Sequence, residues 1–259
     1  MDSVPAEQTP LLGQKKVGSS GRARRYLTQN IRIDNAYIPL LLCCFLTGLI
    51  DAGSYSAWSV FMGMQTGNTI FLALGTANLP PGSDSLKWAR SGISILSLVL
   101  GSFITGHIYT AVGPLRRLTL TLSFLLQAIC IAIAALLVQT GVVPESAAEN
   151  KMVLIAIPFL AVQSGAQVVT AKSLGFNEVP TTVLTSVYND LASDSRLLAW
   201  KNPKRDRRVG AAVMLLLGGI SAGWLLKASN DFTAVLWMGA AMKLLLSFSW
   251  LLFRADVDT

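Results

Sequence analysis

An all-α integral membrane protein, with about six spanning helices and two short non-spanning or re-entrant ones, is the fold this sequence predicts. Three observations carry that expectation. Only 14% of the 259 residues are charged, where soluble domains run at about 25%, and mean hydropathy is +0.53. Six apolar stretches each exceed the ~18 residues that mark a spanning helix. Two further helical segments fail as spans, one by length and one by polarity. A soluble bundle of buried helices does not fit this composition.

The elements follow in order. Residues 1–35 are polar and lack an apolar core, so no cleavable signal peptide is expected and the segment reads as a disordered cytosolic tail. Within it, Glu7 and Leu11-Leu12 in "EQTPLLG" match an acidic-dileucine sorting pattern. Such a motif binds adaptors and directs a protein to vacuolar or endosomal membranes, with the plasma membrane the other destination. The spans read as 37–61, 89–112, 115–140, 152–175, 209–228 and 233–253, within one membrane domain over 36–253 whose halves are 36–140 and 152–253. Trp58, Trp88, Trp224, Trp237 and Trp250 lie towards span ends, as interfacial tryptophan does. Residues 254–259 form a short C-terminal tail, cytosolic like the N-terminus.

The formal net charge is +7. Its basic residues gather in tails and loops, notably 201–208, which fits orientation by the positive-inside rule and contact with anionic lipid rather than nucleic acid. Charge does not choose between six and eight spans: Arg116, Arg117 and Lys172 exchange sides with Lys87, Arg90 and Lys151. Cys43, Cys44 and Cys130 sit inside apolar runs and read as packing residues. Gly219-x-x-x-Gly223 reads as a small-residue packing face.

The short segments are 68–79, ended by Pro80-Pro81, and 181–200, which carries Asn189, Asp190, Asp194 and Arg196. Lipid would penalise those polar groups, so both segments read as re-entrant, in-plane or packed within the bundle. Their surroundings correspond. Gly48 and Asp51 match Gly165 and Gln167, Thr66-Gly67 matches Thr185-Ser186, and Leu72-Ala73 matches Leu191-Ala192. An internal repeat of about 120 residues follows, inverted if the short helices do not span.

The Gly48-x-x-Asp51 helix followed by Phe61 and Thr66-Gly67-Asn68 resembles the YoaK-like membrane family (domain of unknown function 1275). So does Gly165-x-Gln167 followed by Thr181-Thr182 and Thr185, although Ser186 stands where the family pattern has glycine. The resemblance runs from about residue 37 to 253. It implies a small polytopic membrane protein of unassigned activity, and the basic tail with its dileucine-like motif resembles a fungal-type member.

Asp51 is the sharpest candidate for chemistry, because a carboxylate near mid-membrane needs a partner or a wet cavity. It reads as a proton- or cation-coupling site, or as a structural group bonded to Ser54 or Tyr55. Lys243, central in the last span, reads equally as its ion-pair partner or as a side chain snorkelling along its helix. Thr66, Gly67 and Asn68 form a break whose exposed helix N-terminus would offer free N–H groups. Gln163 and Gln167, four apart, share a helix face and read equally as solute ligands or interhelical ties. Weaker candidates are His107, a proton relay or an interfacial side chain, and Thr185, Asn189 and Asp190. Asp190 and Asp194 are expected to find Arg196 or the 205–208 cluster.

No phosphate-cradling loop, nucleophile elbow or zinc spacing is present in the sequence, so no catalytic residue, cofactor or metal is expected. The leading functional expectation is a secondary transporter or channel-like carrier of a small solute, proton-coupled through Asp51. The alternative is a non-catalytic membrane scaffold or assembly factor. An intramembrane enzyme ranks third for want of a nucleophile–base pair.

Overall fold

The computed structural model describes residues 25–79, 85–145 and 150–256; the dileucine-like motif lies outside them. Among the described residues the helices of eight residues or more are α1 (Tyr37–Trp58), α2 (Gln65–Thr76), α3 (Lys87–Val112), α4 (Arg117–Gln139), α5 (Val153–Ser173), α6 (Thr185–Ala192), α7 (Pro203–Ser229) and α8 (Phe232–Ser249), with a 3-10 turn at Trp250–Leu252. Six of these, α1, α3, α4, α5, α7 and α8, are long and apolar enough to cross a membrane. At 1.5 Å per residue, α2 and α6 reach about 18 and 12 Å, short of a ~30 Å hydrocarbon core. The chain is therefore a multi-pass membrane protein with two short helices set within it.

Local chemistry fixes the boundaries. α1 stops at Ser59, whose left-handed φ of 53° turns its N–H back onto the Tyr55 carbonyl. α7 starts earlier than hydropathy predicts. Pro203 occupies its first turn and the Asn202 side chain accepts from the Arg205 N–H, so the basic run is two turns of helix and not a loop. α6 is shorter than the expected 181–200. Its C-terminal residues turn away because the Asp194 carboxylate accepts from the Arg196 N–H at 2.9 Å and from Asn202 at 2.8 Å.

α1 and α5 are the most buried spans, and α3 and α7 the least. The principal packing pairs are α1–α7, α3–α5 and α4–α8, then α2–α3, α4–α5 and α1–α8, with lighter contacts α6–α7, α7–α8, α1–α5 and α3–α4. Exchanging α1 with α5, α2 with α6, α3 with α7 and α4 with α8 returns this same set. Two crossings are made by glycine. A Cβ on Gly48 or Gly218 would lie 1.9 Å from the carbonyl oxygen of Leu215 or Phe45, and one on Gly101 or Gly165 would lie 2.2 Å from that of Val162 or Leu98. Gly48 and Gly165 are 117 positions apart, as are Gly101 and Gly218. Because lipid tails are as apolar as leucine, such close backbone approach is what holds membrane helices together. The contact uses Gly218; a Cβ on Gly223 would meet nothing within 4 Å, which corrects the expected Gly219/Gly223 face.

The described residues nearest either end tie into the bundle. Ile31 is buried, and residues 30 and 31 bridge Arg116 and Ala255. The buried Arg117 guanidinium donates to the carbonyls of Tyr26 and Phe253 and to the Gln29 side chain. The described parts of the expected tails are thus ordered and share one face of the molecule. Trp58 and Trp250 also depart from expectation: both are fully buried. Trp58 donates to the Pro144 carbonyl at 3.1 Å and packs edge-on against Phe232. They plug the two ends of the core, while Trp88, Trp224 and Trp237 remain exposed.

Candidate functional site

The site forms where the chain leaves α1 and starts α2. Residues 59–64 are non-helical, and their amides need acceptors that lipid cannot supply. Asp51, about two turns back inside α1, supplies them. Its Oδ1 accepts from the Met62 and Gly63 N–H groups at 2.7 and 2.8 Å, and its Oδ2 from Met64 at 3.0 Å. The carboxylate thus lies against the start of α2, where negative charge is favoured by the helix dipole. Asn68 secures the same segment from the other side. Its Oδ1 accepts from the Phe61 N–H at 3.0 Å and its Nδ2 donates to the Phe61 carbonyl at 2.7 Å. Ser94 of α3 donates to that carbonyl at 2.7 Å, and Gln65 donates to Ser94 and to the Met62 carbonyl.

Two expectations change here. Thr66, Gly67 and Asn68 lie inside α2 and not in the break, which precedes them. The amides of residues 62–64 are not free, because Asp51 occupies them. Gly67 is required by contact, since a Cβ there would sit 2.8 Å from the Phe61 ring. That ring stacks on Tyr55 at 4.7 Å and lies beside Phe71.

Lys243 does not pair with Asp51. It is fully buried on α8, where it donates to the Gln167 Oε1 and lies 5.0 Å from the centre of the Phe124 ring. Gln167 in turn donates to Thr47 Oγ1 at 2.9 Å. These bonds link α8, α5 and α1. The physical reason is helix rotation: α8 turns this residue towards α5, whereas Asp51 points at backbone amides. Gln163, one turn before Gln167, donates to the Leu160 carbonyl and to Ser164 on its own helix.

A cavity of about 720 Å³ lies beside the break. It is lined by Gly48, Asp51 and Ala52 of α1, the start of α2 including Thr66 and Gly67, residues 182–185 and Tyr188 at the start of α6, and Leu215, Leu216, Gly219 and Ile220 of α7. The two short helices therefore begin at one cavity. Gly63 and Thr182 face each other, since a Cβ on Gly63 would sit 3.3 Å from the Thr182 methyl group. Of the expected residues, Asp51, Thr66, Gly67 and Thr185 line this cavity. Asn68 braces it from behind, and Gln163, Gln167 and Lys243 are not part of its wall.

Residues 39–249, from the first turn of α1 to the end of α8, match the family described as "Protein of unknown function (DUF1275)". The chain belongs to the DUF1275 family. No curated protein and no solved structure matches it.

In this DUF1275 member the weaker candidates lie elsewhere. His107 is exposed on α3, its Nδ1 2.8 Å from the Phe103 carbonyl. Asn189 and Asp190 are exposed at the far end of α6, where Arg208 pairs with Asp190 at 3.4 Å and with Asp194 at 3.7 Å. Asp194 is held below the usual aspartate range by the Arg196 N–H, then by Asn202, with Arg208 adding to both. On the opposite face, burial and the neighbouring Asp231 push Glu145 upward. Ser94 escaped the sequence reading, and Thr182 entered it only through the family pattern, not as a site residue. Ser94 had a signal, because Ser91, Ser94 and Ser97 recur every three residues on an otherwise apolar span and all three are buried. Thr182 had no signal of its own beyond that pattern and a hydroxyl in a polar stretch.

Proposed function

We propose that this chain carries a small solute across its membrane, with the 720 Å³ cavity as the binding site. The observation that supports this most is the convergence of two broken-helix starts on one cavity inside a six-span bundle. Irregular backbone at membrane depth is tolerated only where protein covers it or where it lines a cavity, and carriers place their sites at such breaks. An inverted repeat is part of the reading. The interchange of helix packing pairs and the shared 117-residue spacing of the crossing glycines support it. Asp51 holds the first break, and its protonation would weaken three amide bonds at once, which gives a route for proton coupling.

Thr66→Trp tests the proposal. Thr66 lines the cavity and is exposed, so the bulky ring fills the site while Asp51 and Asn68 themselves are left unchanged. Metabolite profiles are compared between cells lacking the chain, cells with the wild type and cells with the variant. A carrier predicts a folded, membrane-located variant whose profile matches the deletion. A variant profile matching the wild type would leave the polar residues as structural ties of a scaffold and sink the carrier reading.

A further inference from the structure

We infer that the cavity selects an uncharged, partly apolar solute carrying a carbonyl or similar hydrogen-bond acceptor; this rests on the carrier reading above. The first ground is charge. A helix N-terminus carries about half a positive charge, and α2 and α6 both start at the cavity. Together they present about one positive charge, and among the described residues Asp51 is the only Asp, Glu, Lys or Arg in the wall. The sum is close to zero, so an ionic solute would enter with its charge uncompensated, at a cost of several kcal/mol in a low-dielectric site.

The second ground is the supply of donors. Neither helix start has a side-chain cap, and first-turn amides have no partner within their own helix. Asp51 takes residues 62–64, which leaves the first turns of α2 and α6 to whatever occupies the cavity. Thr182 is 95% buried, because its relative exposure is 5%. It lines the cavity, and its hydroxyl has no hydrogen-bond partner among the described residues. That hydroxyl is open to the cavity, so a bound acceptor can pair with it.

The third ground is the rim. Ile70, Leu216 and Ile220 are all at least 45% exposed and line the same cavity. Its opening is therefore apolar, a surface that an uncharged amphipathic molecule can cross and an ion cannot.

The test uses three near-isosteric probes: butyramide, butyrate and butylammonium. Each is titrated into the purified full chain while the unfolding midpoint is followed. Butyramide is expected to raise the midpoint, and each charged probe to need at least about tenfold more to match it. Thr182→Val should weaken butyramide by about tenfold, near the contribution of one hydrogen bond. Its midpoint without probe reports that it still folds. Thr182→Lys adds a positive charge and should transfer the preference to butyrate. Butyrate or butylammonium stabilising the wild type as well as butyramide overturns the inference, and so does an absence of response to all three. Exchange of the same probes across phosphatidylcholine vesicles containing the protein separates the two readings. Binding of butyramide without exchange removes the carrier and keeps the selectivity. Exchange of a charged probe does the reverse.

Discussion

The two broken segments both lead into a short helix at the cavity and are held by different chemistry. The first, residues 59–64 with α2, is secured from within by uncharged amides around one carboxylate and one carboxamide, Asp51 and Asn68, both buried. The second, residues 174–184 with α6, is secured at its edge. Arg207 pairs with Glu178 at 2.7 Å and lies over the Tyr37 and Phe176 rings, while Arg208 reaches Asp190 and Asp194. Buried bonds to a charged group are strong and insensitive to salt, whereas part-exposed ion pairs such as these are weaker and more open to screening. The difference predicts that the first break resists salt and the second loosens with it.

Asp51→Ala attacks that comparison hardest. It leaves three amides without an acceptor and should cost about 3–5 kcal/mol, seen as a large fall in unfolding midpoint. A loss under about 1 kcal/mol would mean that the first break is not held from within. Gln167→Leu comes next, at about 3 kcal/mol, because it strips the fully buried Lys243 of its acceptor. Adding Lys243→Met should recover most of that loss, and strictly additive losses would disconnect the pair. Asn68→Leu should cost about 2 kcal/mol through the two Phe61 bonds.

At the second break, Arg208→Gln should cost under about 1 kcal/mol, and that small loss should vanish at high salt. Hydrogen exchange over residues 185–202 is the measurement. A salt-independent loss would put the second break in the same class as the first. The pH effect there is smaller still. The folded Asp194 lies below its ordinary value, so its contribution is complete above that value and fades only as pH falls through the lowered one. Asp194→Asn should remove this acid-side loosening, again seen by exchange.

The sequence made the spans legible because length and apolarity alone decide what can cross a bilayer. It made Asp51 legible because an isolated carboxylate in such a helix is rare. It did not disclose the partners of Asp51. Those are backbone amides, which Met62, Gly63 and Met64 supply no differently from any other residues. It misdirected the reading of Lys243, since opposite charges invite pairing and nothing in one dimension tells which way a helix is turned. The length of α6 was hidden for a related reason. A polar stretch of helical composition stops where Asp194 and Asn202 bond locally, and that competition is settled by geometry.

The glycine crossings bear on how the chain could be divided. α1 touches α7 backbone to backbone, and α3 touches α5 in the same way, so each tight pair takes one member from either side of the 140–152 connection. A cut at that connection would yield two fragments, each lacking the mate of two of its own helices. Neither fragment has a finished interior to fold around alone, yet the two made together in one cell should find each other and rebuild the whole.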